Sequence, residues 1–377
     1  MRKQSFIMLA AATAVVVIGA TAAVVTRDRG TKVAAEGERM FPALFQRAND
    51  IDQLVVRSAE GGTISMTRSG ERWVVTEKSG YPANFEKVRE TLLSLSQMRT
   101  VEPRTAKPEL LPRLELDDVE AEASKSVRVT AKDGDETVAD VLVGRWQDTG
   151  QDQGMFVRRA GEDQSWLVKG GNTRPDKRIT QWLDRDIVNV DQRRVKSVTI
   201  THAGGDSVKV VRPAPGADAF TLASKIPSGR EAKAPHELEA LASITDFLIL
   251  DDVRAAKELD FATPAVTLES VTFDGLTLRL EGVEKDGTFW VRVAATESAR
   301  DPALAAFVEA NKGQDSAAGR TADQFKPEAE VKAQVAAIQS KTDGWAYRLT
   351  DYKTDKVRTD AQAITAAISA DAAKPKN

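Results

Sequence analysis

Two glycine pairs and a scatter of acidic side chains are the first places to look for chemistry in this sequence. Gly61-Gly62, within "SAEGGTISMTRSG", and the loop "KGGNTRPDK" (Lys169 to Lys177) join glycines to hydroxyls and cations, a composition suited to phosphate. Neither has the GxxxxGK[ST] spacing or leads from a buried parallel strand into a helix, so both read as turns or loops. His202 and His236 are the 2 histidines, and they lie in different elements with no HExxH or HxH spacing. His202 and Ser207 flank a turn, without the GxSxG elbow or SxxK pair of a serine nucleophile. "DTG" (Asp148 to Gly150) resembles the aspartic-protease triplet but has no twin with which to share a proton. "DGDE" (Asp133 to Glu136) lacks the glycine and closing glutamate of a calcium loop. The run "QWLDRDIVNV" (Gln181 to Val190) remains, dense in aromatic and charge. Its Trp182, Asp184, Arg185 and Asp186 form the candidate partner-binding or domain-junction cluster. No catalytic residue, metal site or cofactor is expected.

Composition narrows the classes further. The 377 residues exceed one ordinary core, which predicts two domains. A net charge of −3 with mixed signs gives no footprint for nucleic acid. The absence of cysteine removes disulfides, thiolate ligands and a lipid-bearing cysteine. Ser5 to Thr26 is uncharged, follows Arg2 and Lys3, and as a helix would span roughly 33 Å, enough for a bilayer core. Ala20-Thr21-Ala22 offers a cleavage site, but the apolar run continues through Val24 and Val25. An uncleaved anchor in the inner membrane is therefore expected, with the bulk of the chain in the periplasm.

The elements that would position these residues follow from period. Residues 1–26 form the anchor and 27–48 a tether. Residues 49–190 read as a first β-rich repeat, 191–358 as a second, and 359–377 as a flexible tail. Short alternating runs at Ile51 to Arg57, Thr63 to Arg68 and Trp73 to Thr76 predict an antiparallel meander. A helix follows from Asn84, with Phe85, Val88, Leu92 and Leu95 on one face. Strands return at Ser126 to Lys132, Glu136 to Val143, Gly154 to Arg159 and Ser165 to Val168. The order then recurs: "VKSVTITHAGGDSVKVVRP" places Gly204-Gly205 where Gly61-Gly62 stood, and "PHELEALASITDFLIL" reads as the matching helix. "VTAKDG" is echoed by "VTFDG" and "MFVRR" by "FWVRV", so an internal duplication is expected. Asp301 to Ala310 and Lys326 to Ser340 read as helices around a small, polar stretch at Lys312 to Thr321. Gly344 to Leu349 reads as a last strand, and the Ala-rich end as a fraying helix. The expected fold class is α+β: two related units of antiparallel sheet, each covered by a main helix, after a transmembrane helix.

Taken together, "GERMFPAL", "GYPANFEKVRETLLSLSQMRTVEPRT", "LVGRW", "WLDRDIV", "FDGLTLRLEG" and "GWAYRLTDYK" resemble a bacterial family defined as a domain of unknown function. The similarity runs from about Gly37 to about Arg358. It implies a single-pass envelope protein with two β-rich copies, of a kind often encoded beside gliding-motility-type ABC-transporter genes. No catalytic residue carries over. Three roles follow as expectations. The first is a non-catalytic accessory or scaffold protein that binds an ABC-transporter subunit or another envelope protein. The second is a glycan or peptidoglycan binding module. The third is a hydrolase with an unfamiliar carboxylate site built on Asp184 and Asp186.

Overall fold

The computed structural model describes residues 37–148, 153–171, 174–313 and 322–368. The Ser5 to Thr26 span, the start of the tether, Thr149-Gly150 of the DTG triplet, most of the polar stretch at 312–321 and the end of the tail lie outside the described residues. Among the described residues no helix is long and apolar enough to cross a membrane. The chain is α+β, with large antiparallel sheets and few helices. It divides into two compact units: residues up to Val74 with Phe85–Trp182, and Val75–Asn84 with residues from Leu183 onward.

The first unit is built on β1 (Gln53–Ser58), β2 (Gly62–Ser69) and β3 (Arg72–Val75), a meander in the order of the chain. The short β4 (Tyr81–Pro82) lies in the segment that belongs to the second unit. Then come β5 (Arg99–Pro103), β6 (Val127–Asp133), β7 (Glu136–Gln147), β8 (Gly154–Arg159) and β9 (Ser165–Lys169). From β3 the sheet runs β3-β2-β1-β6-β7-β8-β9-β5. Register is set by period-two burial, since a slip of one residue would turn every apolar side chain outward. Ile64, Val56, Val129 and Val141 face one another across four strands and are all buried. Each contributes about 1.5–3 kcal/mol relative to exposure. Among the described residues two α-helices belong to this unit, α1 (Pro42–Arg47) and α2 (Phe85–Gln97), and they contact each other. Helix α2 buries Val88, Leu92 and Leu95 as its spacing predicts, but Phe85 at its first turn is 53% exposed. The first position of the helix lies beyond the reach of the apolar face that Val88 begins.

The second unit contains β10 (Asp186–Val188), β11 (Val195–His202), β12 (Ser207–Val211) and β13 (Thr221–Leu222). It continues with β14 (Arg230–Ala232), α3 (Pro235–Ala242), β15 (Leu248–Ala255), β16 (Val266–Thr272), β17 (Leu276–Lys285) and β18 (Thr288–Glu297). Helices α4 (Pro302–Ala310) and α5 (Glu328–Thr342), strand β19 (Trp345–Leu349), helix α6 (Asp351–Val357) and β20 (Thr365–Ala367) complete it. The main sheet runs β10-β15-β19-β18-β17-β16-β11-β12-β13, and β14 pairs with β20. Val208, Ile200, Leu268, Leu280 and Val293 make a buried row across five strands. Helix α5 packs against β18 through the buried face of Val331, Val335 and Ile338.

Three expectations change. The "PHELEALASITDFLIL" helix stops at Ala242, a single 3-10 turn follows at Ser243–Thr245, and "LILDDVRA" is strand β15. A short apolar run carries no period of its own, and here pairing with β19 and β10 decides. The longest helix of this unit is α5 rather than α3, and it is the one laid along β18. In the alanine-rich end, Thr365–Ala367 pairs as a strand instead of continuing a helix.

Gly61-Gly62 and Gly204-Gly205 both turn hairpins, β1 to β2 and β11 to β12. Gly62 and Gly205 take positive φ, of 68° and 86°. Their partners differ. A Cβ on Gly61 would fall 2.0 Å from the Lys177 carbonyl oxygen, whereas one on Gly204 meets nothing within 4 Å. The end of the KGGNTRPDK loop therefore packs on the hairpin at Lys177, and two of its cations are engaged: Arg174 with Glu115 and the Lys125 carbonyl, Lys177 with Glu60. Gly61→Ala is expected to cost about 1–3 kcal/mol of stability by overpacking, and Gly204→Ala to stay within about 0.5 kcal/mol of the parent. Urea unfolding of both variants checks this. Equal losses would contradict it.

Candidate functional site

The four residues singled out in the sequence go to different places. Trp182 is fully buried in the first unit, its indole N–H donating to the Asp176 carbonyl at 2.9 Å and Lys87 lying over its ring. Asp184, in the second unit, pairs with Lys341 at 2.9 Å, and its carbonyl accepts from the Tyr81 hydroxyl. Arg185 donates to the Leu250 carbonyl at 3.1 Å and to the Asp251 carboxylate at 3.3 Å. Asp186 opens β10 and lines a hollow of about 290 Å³ with Phe247, Gln334 and Lys341. Lys341 is common to the two aspartates: it pairs with Asp184 and lines the hollow that Asp186 borders. His202 Nε2 lies 3.1 Å from the Thr359 carbonyl oxygen, and His236 is in the first turn of α3. Among the described residues no group of His, Cys, Asp or Glu is arranged to hold a metal ion.

A larger hollow adjoins that of Asp186, sharing Asn189, Phe247 and Gln334 with it. It encloses about 560 Å³ within the second unit and is also lined by Asp191, Arg193, Arg194, Asp246, Gln324 and Lys326. Sequence builds it from three pieces. The 3-10 turn Gln192–Arg194 leads from β10 into β11, with Asp191 as its cap accepting from the Arg193 N–H. The turn before β15 carries Asp246 and Phe247. The lead into α5 carries Gln324 and Lys326, and α5 itself carries Gln334.

Charge fixes the floor. Arg194 is buried and donates from Nε to Asp274 at 2.8 Å and from Nη1 to the Gln334 side chain at 3.0 Å. Asp274 also accepts from the Thr272 hydroxyl at 2.5 Å and the Lys326 N–H at 2.8 Å. Arg194 Nη2, however, has no hydrogen-bond partner, and neither has either polar atom of the Gln324 amide, although all three are buried. A buried donor or acceptor left unmade costs about 1–3 kcal/mol. Native chains carry few such groups; these three belong to residues of the hollow, and others among the described residues lie elsewhere, in Trp166 and Trp290 among them.

The two carboxylates of the hollow are biased in opposite directions. Burial alone would raise Asp191, but its side-chain and backbone hydrogen bonds from Arg193, with the Arg193 and Arg194 charges, hold it below the usual range. Burial raises Asp246, and the Asp191 charge adds to this against Lys353 and Arg193. Both Asp191 oxygens accept from Arg193, which favours the charged carboxylate.

Phe247 stands at the rim. It is 69% exposed and holds φ at 46°, the left-handed region that bulky L residues avoid. Its neighbours impose this. Lys353 donates to the carbonyls of Ser243, Ile244 and Asp246, which ties down the turn just ahead. Asn189 accepts from the Phe247 N–H at 3.1 Å, and Leu248 is already paired with Val188. Strain of about 1–3 kcal/mol is thereby retained to keep an aromatic ring in solvent. Sequence reading missed this residue because it placed Phe247 inside a helix. The usable signal was the switch to alternation from Leu248 onward.

Comparison with known families places the chain firmly. The family model described as "Domain of unknown function (DUF4340)" matches residues 73–274, more than half of the sequence, and the chain belongs to that family. A comparison with curated proteins gave no match.

If Phe247 is held under strain rather than packed, Phe247→Asn, which accepts left-handed φ, raises stability by about 1 kcal/mol. Chemical unfolding measures it. A loss of comparable size would mean that the ring contributes to folding.

Proposed function

Starting from that membership, we propose that the protein is a membrane-anchored, extracytoplasmic accessory protein that binds an ABC-transporter subunit and catalyses no reaction itself. The observation that carries this reading is Phe247: an exposed aromatic ring kept in an unfavourable backbone conformation at the edge of a hollow. Backbone strain persists only where the surroundings impose it, and it gathers at sites of function. Aromatic side chains are prominent among the residues that dominate protein interfaces. The engagement of both Asp191 oxygens by Arg193, and of Asp184 by Lys341, favours binding over hydrolysis.

We further infer that the two units descend from one duplicated β-rich module. The strand order β3-β2-β1-β6-β7-β8-β9-β5 matches β13-β12-β11-β16-β17-β18-β19-β15 position for position. The paired glycine hairpins fall at equivalent places in it. On this reading the second copy gained the α5 segment and, with it, the hollow.

A photocrosslinking amino acid at position 247, introduced into the full chain in its native membrane, tests the role. The expected result is one predominant protein adduct containing a subunit of an ABC transporter, absent when the crosslinker is at the exposed strand position Thr63. An adduct that collapses on muramidase digestion would replace this reading with that of a glycan-binding module. Equal crosslinking from both positions would end it.

A further inference from the structure

Helix α1 has an uncharged outer face. It buries Leu44 and leaves Pro42, Ala43, Phe45 and Gln46 exposed. Helix α2, which it contacts, exposes Leu93 and Gln97 in its C-terminal half. Phe45 is 48% exposed and Leu93 45%, high values for apolar side chains in a folded unit. Arg39 links the two helices. Its guanidinium lies 3.4 Å from the centre of the Phe45 ring, and its Nη1 donates to the Ser96 carbonyl at 3.3 Å. The Ser96 hydroxyl donates in turn to the Leu93 carbonyl. The surface thus runs from Phe45 past Arg39 to the last two turns of α2, with Arg99 just beyond. An apolar centre with arginines at its margin suits a lipid headgroup layer, where the long side chain lays its stem on apolar groups and keeps its charge at the phosphates.

The course of the chain says what covers this face. The Gly37 N–H donates to the Thr100 carbonyl, the Thr100 N–H to the Glu38 carbonyl, and Arg99 to the Gly37 carbonyl. The chain therefore enters the unit beside the patch. Residues 27–36 separate Gly37 from the uncharged run that ends at Thr26. Ten residues reach at most about 36 Å, roughly the width of a unit of this size. Where that run spans a bilayer, the α1–α2 face meets the lipid surface with the least extension of the chain. Linkage to the bilayer also supplies a high effective concentration, so a weak contact suffices. A stable interface between proteins buries about 800 Å² on each side, and two exposed apolar side chains fall short of that.

We propose that the α1–α2 face of the first unit rests on the lipid surface, with Phe45 and Leu93 entering the headgroup boundary and Arg39 and Arg99 meeting lipid phosphates. The proposal rests on the membrane-anchored reading above and adds which face of this unit meets the bilayer.

The chain has no cysteine, so single reporters can be placed without background. Gln46→Cys, Gln97→Cys and Thr63→Cys, all at exposed positions, are each labelled with an NBD fluorophore. The full chain is reconstituted into vesicles of phosphatidylethanolamine and phosphatidylglycerol. Thr63 is the control: it faces Arg57, at the far end of the β1–β2 hairpin from Gln53, whose partner Lys132 adjoins the Asp133 that Arg47 holds. A nitroxide carried on a lipid headgroup is expected to quench positions 46 and 97 several-fold more than position 63. Phe45→Glu is expected to bring position 97 down to the level of position 63. Equal quenching at all three positions, or the reverse order, would overturn the proposal. So would weak lipid quenching at 46 and 97 together with protection from a water-soluble nitroxide, which would mean that a second protein molecule covers the face. Resistance to alkaline carbonate extraction reports the anchor separately. A chain that resists extraction but shows no positional preference sinks the lipid-facing surface alone. A chain that is extracted, yet shows the preference beforehand, sinks the anchor alone.

Discussion

The buried ion pair between Arg194 and Asp274 is the constraint on which the second unit turns. Both side chains are almost wholly removed from water. Such a pair is tolerated only when further hydrogen bonds satisfy the remaining atoms, and loss of one partner typically costs about 3–5 kcal/mol. Asp274 is placed by the tight turn between β16 and β17, where Gly275 takes φ of 95° and the Thr272 hydroxyl folds back onto the carboxylate. Its second oxygen receives both Arg194 and the N–H of Lys326, and its carbonyl receives Arg300, which also holds the Lys326 carbonyl. One carboxylate thus joins the entrance of β11, the β16–β17 turn and the lead into α5. These segments are far apart in sequence, and nothing apolar could align them so specifically.

From that hub the hollow follows. Arg194 cannot turn toward solvent while Asp274 holds Nε, and its Nη1 is directed to Gln334. Arg193, the next residue back, is held by Asp191 in a surface clamp of a kind that contributes little to stability alone. Its value here is geometric, because it keeps the turn between β10 and β11 open at the rim. Lys353 performs the same task on the opposite side. Burial lowers its affinity for a proton, with Asp246 working against that, and its ammonium group satisfies three backbone carbonyls that would otherwise be stranded. Phe247 is the residue left over when both sides are fixed.

Much of the scaffold is readable from period and punctuation. The meander strands, the buried face of α2, the helix later seen as α5 and the two glycine turns are all visible as alternation, 3.6-residue spacing or paired glycines. Gly61 shows the limit: its turn is legible, but its contact with the Lys177 carbonyl is a tertiary fact. The stretch from Ser243 to Leu250 reads as helix because "TDFLIL" fits a helix and a strand equally, and strand pairing settles the matter. The site was less legible still. Trp182, Asp184, Arg185 and Asp186 drew notice as a dense cluster, yet only Asp186 among them borders the adjoining hollows. Arg194, Gln324 and Asp274 carry no local signal, since an unmatched buried amide is defined by what surrounds it. Matching strand orders in the two units lend weight to the duplication seen in the echoed strings, while the site lies where the second unit departs from the first.

The most direct measurement replaces the hub while preserving its bulk. Arg194→Met combined with Asp274→Leu exchanges a buried ion pair for an apolar one, a change that is often neutral for folding. Because the Lys326 N–H and the Gln334 side chain lose their partners, chemical unfolding of the double variant should show a loss of about 1–3 kcal/mol with the chain still folded, and the crosslink from position 247 to the transporter subunit should disappear. A stable double variant that still crosslinks at the parental level would contradict the account, because the hollow would then be incidental to binding.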